Sequence, residues 1–190
     1  PINNREYSRG GHGLFSTAND YSKFAHMLIN GKNTNGKQMT VYWEDLSIGD
    51  TFYSNKNLAL NAEEIIEFAS EFDPQPYHLD PVAAEASIFG ELCASGWQIS
   101  ALTQRMITDC FRDRKILILG LCGVKQLQWR KAVYAGDALS IEMRLIDKDP
   151  ESYLSNVGVV EMECTVRNQE EDTIIFLTNS LLIPLKDAGK

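Results

Sequence analysis

Two stretches in the second half of the chain alternate with a period of two. Leu139, Ile141, Met143 and Leu145 are interleaved with Ser140, Glu142, Arg144 and Ile146, and Val160, Met162, Cys164 and Val166 with Glu161, Glu163, Thr165 and Arg167. Apolar side chains at every second position line one face of a pleated strand, so both stretches predict half-buried antiparallel strands. Asn168 to Asp172 forms a polar hairpin loop, and Thr173 to Pro184 returns as the last strand. Before these strands the period lengthens. Ile65, Phe68, Ala69 and Phe72 fall on one helical face of Asn61 to Phe72, with Asn61 as N-cap and Glu64 completing a capping box, until Pro74 stops the helix. A short helix is expected near Pro81 to Ser87. Ser95 then caps a longer one, in which Ala101, Leu102, Met106, Ile107, Cys110 and Phe111 are too many apolar positions for a surface helix. A first strand region covers Val41 to Tyr53. One buried helix followed by twisted antiparallel strands predicts an α+β fold in which the sheet curls round the helix.

The glycine- and asparagine-rich loop from Gly31 to Lys37 divides the chain into an N-terminal extension, residues 1–38, and a larger domain, residues 39–190. Tyr21, Phe24, Ala25 and Leu28 make an amphipathic face that Gly31 terminates. The run Gly10-Gly11-His12-Gly13-Leu14 with Ser16-Thr17, Asp20 and Phe24 resembles a fragment of the serine beta-lactamase-like hydrolases. Their Ser-x-x-Lys nucleophile motif is absent from the sequence, and Tyr53-Ser54-Asn55 is read as a chance match to another of their elements. The extension is therefore read as a fusion remnant without a catalytic role.

Composition narrows the classes. The 190 residues are 44% hydrophobic, enough for a substantial core in a soluble, cytoplasmic globular protein. A net charge of -8 argues against nucleic-acid binding, and the longest apolar runs fall well short of the ~20 residues that span a bilayer. No cationic leader precedes an apolar region, so a secretory signal is not expected. Cys93, Cys110, Cys122 and Cys164 have no Cys-x-x-Cys spacing and read as reduced core residues. His12, His26 and His78 are far apart, so no metal is expected.

The densest chemistry is Asp73-Pro74-Gln75-Pro76-Tyr77-His78, a carboxylate and an imidazole five residues apart on a turn stiffened by two prolines. Asp73 follows a helix C-terminus, where the dipole disfavours a negative charge. Taken alone, the spacing also fits a proline-pinned surface loop. The wider stretch resembles the MaoC-like dehydratases and R-specific enoyl-CoA hydratases, whose Asp-x-x-Pro-x-His signature is matched by Asp73, Pro76 and His78. A second match, Trp129 through Val133 and Gly136-Asp137 to Leu139, follows in the right order, and the resemblance extends over about residues 40–184. Gln75 stands where the best-known hydratases carry Asn, and Ala132 where proline is usual.

That resemblance implies the hot-dog fold and a hydro-lyase that hydrates a trans-2-enoyl-CoA to the (R)-3-hydroxyacyl-CoA. Asp73 and His78 would be the catalytic pair. Ser95 and Gly96, at the start of the long helix, would bind substrate, with Gly96 supplying the backbone donor to the thioester carbonyl. Trp129 is read as core packing and Asp137 as a structural turn residue. No cofactor is expected beyond the coenzyme A of the substrate, whose phosphates Lys125, Arg130 or Lys131 would meet; acyl carrier protein is the alternative carrier. A homodimer is expected. The competing readings are a hot-dog thioesterase, which usually carries its carboxylate on the long helix, and a non-catalytic acyl-CoA-binding module.

Overall fold

A computed structural model describes residues 40–186 except residue 56. The expectations for residues 1–38 lie outside the described residues.

The capping box forms as expected: the Glu64 N–H donates to Asn61 Oδ1 at 2.9 Å, and the Asn61 N–H to Glu64 Oε2 at 3.0 Å. Helix α1 then runs Ala62–Phe72, burying Ile65 and Ala69 but leaving Phe72 65% exposed. The prolines after it end α1 and begin two short helices, α2 (Pro76–Leu79) and α3 (Pro81–Glu85). Each has proline in its first turn, where no N–H is needed. Ser95 caps α4, Gly96–Asp113, by accepting from the Trp97 N–H at 3.2 Å.

The strands are β1 (Thr51–Tyr53), β2 (Leu58–Ala59), β3 (Gly120–Trp129), β4 (Ala138–Asp149), β5 (Val157–Arg167) and β6 (Thr173–Pro184). They form an antiparallel sheet in the order β1-β4-β5-β6-β3, with β2 also paired to β4. Met143 pairs with Cys164 and Cys164 with Leu177, so the alternation read from the sequence becomes one buried face. Onto that face α4 packs Ile99, Met106, Ile107, Cys110 and Phe111. This is the α+β hot-dog arrangement, with the long helix in the core of the sheet.

Two elements differ from expectation. Val41 to Tyr53 is not one strand: a 3-10 turn at Trp43–Asp45 interrupts it, and only Thr51–Tyr53 joins the sheet. The Asp45 and Asp50 carboxylates accept from the N–H groups of Tyr42 and Ser47, at 3.0 and 2.8 Å, and such local bonds compete with a ladder. Strand β3 escaped the sequence reading because it lies at the sheet edge and its register shifts twice, which breaks the period of two. Among the cysteines, Cys122 is exposed, on β3, and the other three are buried. Burial pushes the Cys164 thiol up to about 12 and that of Cys93 up as well, so both stay neutral and unreactive near neutral pH. Among the described residues no helix is long and apolar enough to cross a membrane.

Candidate active site

Asp73 ends α1, its N–H donating to the Ala69 carbonyl at 2.9 Å, and Pro74 forces the chain to turn back. One turn of α2 later, His78 faces it, with Nε2 3.5 Å from Asp73 Oδ2. The imidazole is 7% exposed and the carboxylate 26%, so solvent reaches the pair mainly at the carboxylate. His78 Nδ1 lies 2.6 Å from the Cys93 carbonyl oxygen. A carbonyl can only accept, so Nδ1 carries the hydrogen, and in the neutral ring Nε2 presents its lone pair toward Asp73.

The segment before α4 is fixed from both sides. The Cys93 N–H donates to the Tyr77 carbonyl at 3.4 Å, and the Ala94 N–H to that of buried Val133 at 2.8 Å. The second sequence motif thus acts through its backbone: it holds the strand-like segment whose Cys93 carbonyl orients His78. Asp137 holds that motif in shape. Its carboxylate accepts from the Tyr134 N–H at 2.9 Å and from Gln169 Nε2 at 2.9 Å, across the turn where Gly136 has φ +95°. This matches the structural part expected of Asp137.

Ser95 joins the helices to the pair. Its hydroxyl donates to Asp73 Oδ2 at 2.6 Å, a short charge-assisted bond that aims the carboxylate, while the same oxygen caps α4. Gly96 is the first residue of α4. Its N–H finds no acceptor among the described residues, and it points from the positive end of an 18-residue helix. Asp73 thus contacts both His78 and Ser95, and Gly96 follows Ser95 at the start of α4.

A model of the MaoC-like domain matches residues 45–167, spanning this pair and both sequence motifs. The chain belongs to the MaoC-like domain family. It is 30% identical over 141 residues to YdeM of Bacillus subtilis (strain 168), an uncharacterised protein, across 74% of this chain and 96% of that one. The solved MaoC-like dehydratase from Rhodospirillum rubrum is 32% identical, with a TM-score of 0.67 over 77% of this chain and 98% of its own. The R-hydratase PhaJ1 from Pseudomonas aeruginosa, 23% identical, shares the fold at a TM-score of 0.61 over 77% of this chain and 88% of its own. As a MaoC-like protein, the chain is of the hydratase and dehydratase kind.

Three features of this MaoC-like site were not legible in the sequence. Trp129 is not a core residue: it is 46% exposed, and its Nε1 donates to the Gly96 carbonyl at 2.8 Å, with its ring edge-on to Trp97. A Cβ on Gly96 would stand 2.9 Å from that nitrogen, so the glycine is required by the indole above it. Gly96→Ala should accordingly displace Trp129, seen as a change in tryptophan emission, and lower turnover about tenfold or more by moving the helix N-terminus. Unchanged emission and turnover would remove Gly96 from the site. Second, Lys125 is ion-paired with Glu161 and Lys131 with Asp172, which leaves Arg130 without an ion pair among the described residues. Third, the orienting group on His78 is a backbone carbonyl, for which no side-chain pattern exists.

Proposed function

We propose that the protein reversibly hydrates a trans-2-enoyl-CoA to the (R)-3-hydroxyacyl-CoA. The observation that supports this best is the facing of Asp73 Oδ2 and His78 Nε2 across 3.5 Å beside the N-terminus of α4. Two acceptors pointed at one another are both satisfied by a molecule that donates two hydrogens, and water is the smallest. Held in this way, water adds its oxygen to the β-carbon of the enoyl thioester while the pair takes its proton. The same pair returns a proton to the α-carbon, so it acts as a coupled unit and ends in its starting state. Negative charge that develops on the thioester oxygen meets the Gly96 N–H and the helix dipole, which are already in position. Ser95 keeps Asp73 aimed throughout. The stereochemistry tests this reading: chromatographic resolution of the product from crotonyl-CoA should give the R isomer, and a racemic or S product would contradict it.

The carboxylates of α4 argue against the thioesterase arrangement. Asp109 is held by Arg105 at 2.9 Å and Arg112 at 2.8 Å, and Asp113 accepts from Asn55 Nδ2 at 2.8 Å. Both are engaged in these contacts and lie at the end of α4 remote from Ser95.

The sheet also supports a symmetric homodimer. Its two edges are unequal: β1 spans three residues, too short to template another strand, whereas β3 spans ten and exposes Leu121, Val124 and Trp129. A long apolar edge of this kind is normally covered, and a second copy of the same edge is the simplest cover. Light scattering should give twice the chain mass; a fully active monomer would contradict the dimer.

A further inference from the structure

The segment joining α3 to α4, residues 86–95, carries the Cys93 carbonyl that holds His78. Its first half is tied locally. Ser87 Oγ donates to the Ala84 carbonyl at 2.7 Å and accepts from the Phe89 N–H at 3.1 Å, before the chain turns at Gly90, where φ is +73°. Its second half is tied across the fold. Cys93 forms an isolated antiparallel bridge with Tyr134, next to the bond from the Ala94 N–H to the Val133 carbonyl. Tyr134 then reaches the same segment a second time, now with its side chain: the phenol hydroxyl donates to the Phe89 carbonyl at 3.0 Å. Partial burial, before any neighbouring charge, pushes the Tyr134 phenol up, so the hydroxyl keeps the hydrogen it donates.

What that hydroxyl holds leads to the imidazole. The Phe89 ring lies 4.9 Å from the Tyr77 ring, centroid to centroid, and the Tyr77 ring stands edge-on to His78 at 4.5 Å and 71°. His78 is therefore fixed at Nδ1 by one end of the 86–95 segment and along its ring by Tyr77, which the Phe89 end backs. A single hydrogen bond leaves the imidazole free to tilt about it, and a tilt carries Nε2 off its 3.5 Å line to Asp73 Oδ2. The Tyr77 ring opposes the tilt.

We propose that Tyr134 is a positioning residue, whose hydroxyl clamps Phe89 against Tyr77 and so keeps His78 Nε2 aimed at Asp73. The proposal rests on the hydratase reading for its effect on turnover but not for its effect on the imidazole. Tyr134 acts on the pair twice, through its backbone at Cys93 and through its side chain at Phe89. Only the second can be removed without touching the first.

Tyr134→Phe does this, since it deletes the hydroxyl and keeps the ring and the backbone bridge. Proton NMR of the whole chain labelled with 15N-histidine reads the result. The buried His78 Nδ1–H, 2.6 Å from nitrogen to acceptor, should give a resolved downfield resonance that His78→Ala deletes. In Tyr134→Phe that resonance should shift and exchange with water about tenfold faster or more, and turnover should fall about tenfold at an unchanged KM. Phe89→Leu, which keeps the carbonyl and loses the ring contact, should do the same, and the double variant should be no worse than either single one. Ile88→Ala, in the same loop but 95% exposed, should leave both readouts as they are. An unchanged resonance or unchanged turnover in Tyr134→Phe would overturn the assignment, as would additive losses in the double variant or an equal loss in Ile88→Ala. If the natural chain hydrates no enoyl thioester while the resonance responds as expected, the hydratase reading falls and the clamp stands. Hydration with a resonance indifferent to Tyr134 does the reverse.

Discussion

Asp73→Asn and His78→Ala should each lower turnover by about 10²- to 10⁴-fold, the range for a positioned acid or base, with little change in folding. Asparagine at position 73 keeps an oxygen that can accept from Ser95 Oγ, now 2.6 Å away, so the local structure survives while the charge is lost. Alanine at 78 removes Nε2 and leaves the Cys93 carbonyl without its 2.6 Å partner, a loss confined to a loop. Because the two groups are proposed to hold and relay through one water, their effects should not add. The double variant should be scarcely slower than the worse single one. Near-normal turnover in either single variant would remove that residue from the mechanism, and fully additive losses would show that the two act independently. Ser95→Ala belongs to the same series with a smaller effect, since it frees the carboxylate without discharging it.

Phe111→Ala should destabilise the domain by about 3–5 kcal/mol and lower its melting temperature by roughly 10 °C. Phe111 is 1% exposed and stands edge-on to Phe52, with ring centroids 5.4 Å apart. Removing it empties the contact between α4 and β1, in a core that cannot collapse without moving the sheet. Phe72→Ala, by contrast, should cost under about 0.5 kcal/mol, because Phe72 packs mainly against Phe68 at the surface. Thermal denaturation of the two variants side by side checks this. Similar losses in both would mean that Phe72 is covered in the working protein, as it would be at a subunit boundary.

Those two phenylalanines also mark how far the chain could be read from its letters. Each sits at the end of an apolar helical stripe, and periodicity alone treats them alike. What separates them is packing, which places Phe111 in the core at 1% exposure and leaves Phe72 65% exposed. Strands β4, β5 and β6 were legible because each is long and contributes a face to one shared core. Strand β3 and the region before β1 were not, because an edge strand with bulges and a turn built on Asp side chains carry no regular period. At the site, Asp73, His78, Ser95 and Gly96 could be named from motif and capping pattern. Their partners could not: Cys93 acts through its carbonyl, and Trp129 reaches Gly96 across 33 positions of sequence.

The most direct measurement of the central claim follows the conjugated thioester absorbance of crotonyl-CoA and longer trans-2-enoyl-CoAs with purified protein, while a thiol reagent reports free coenzyme A in the same cuvette. The absorbance should fall to an equilibrium value with no thiol released, and Asp73→Asn should abolish the fall. Thiol released in step with the absorbance loss would mean hydrolysis, and thioesters that bind with no change in absorbance would mean a protein that holds acyl groups without reacting them; either result would contradict the assignment.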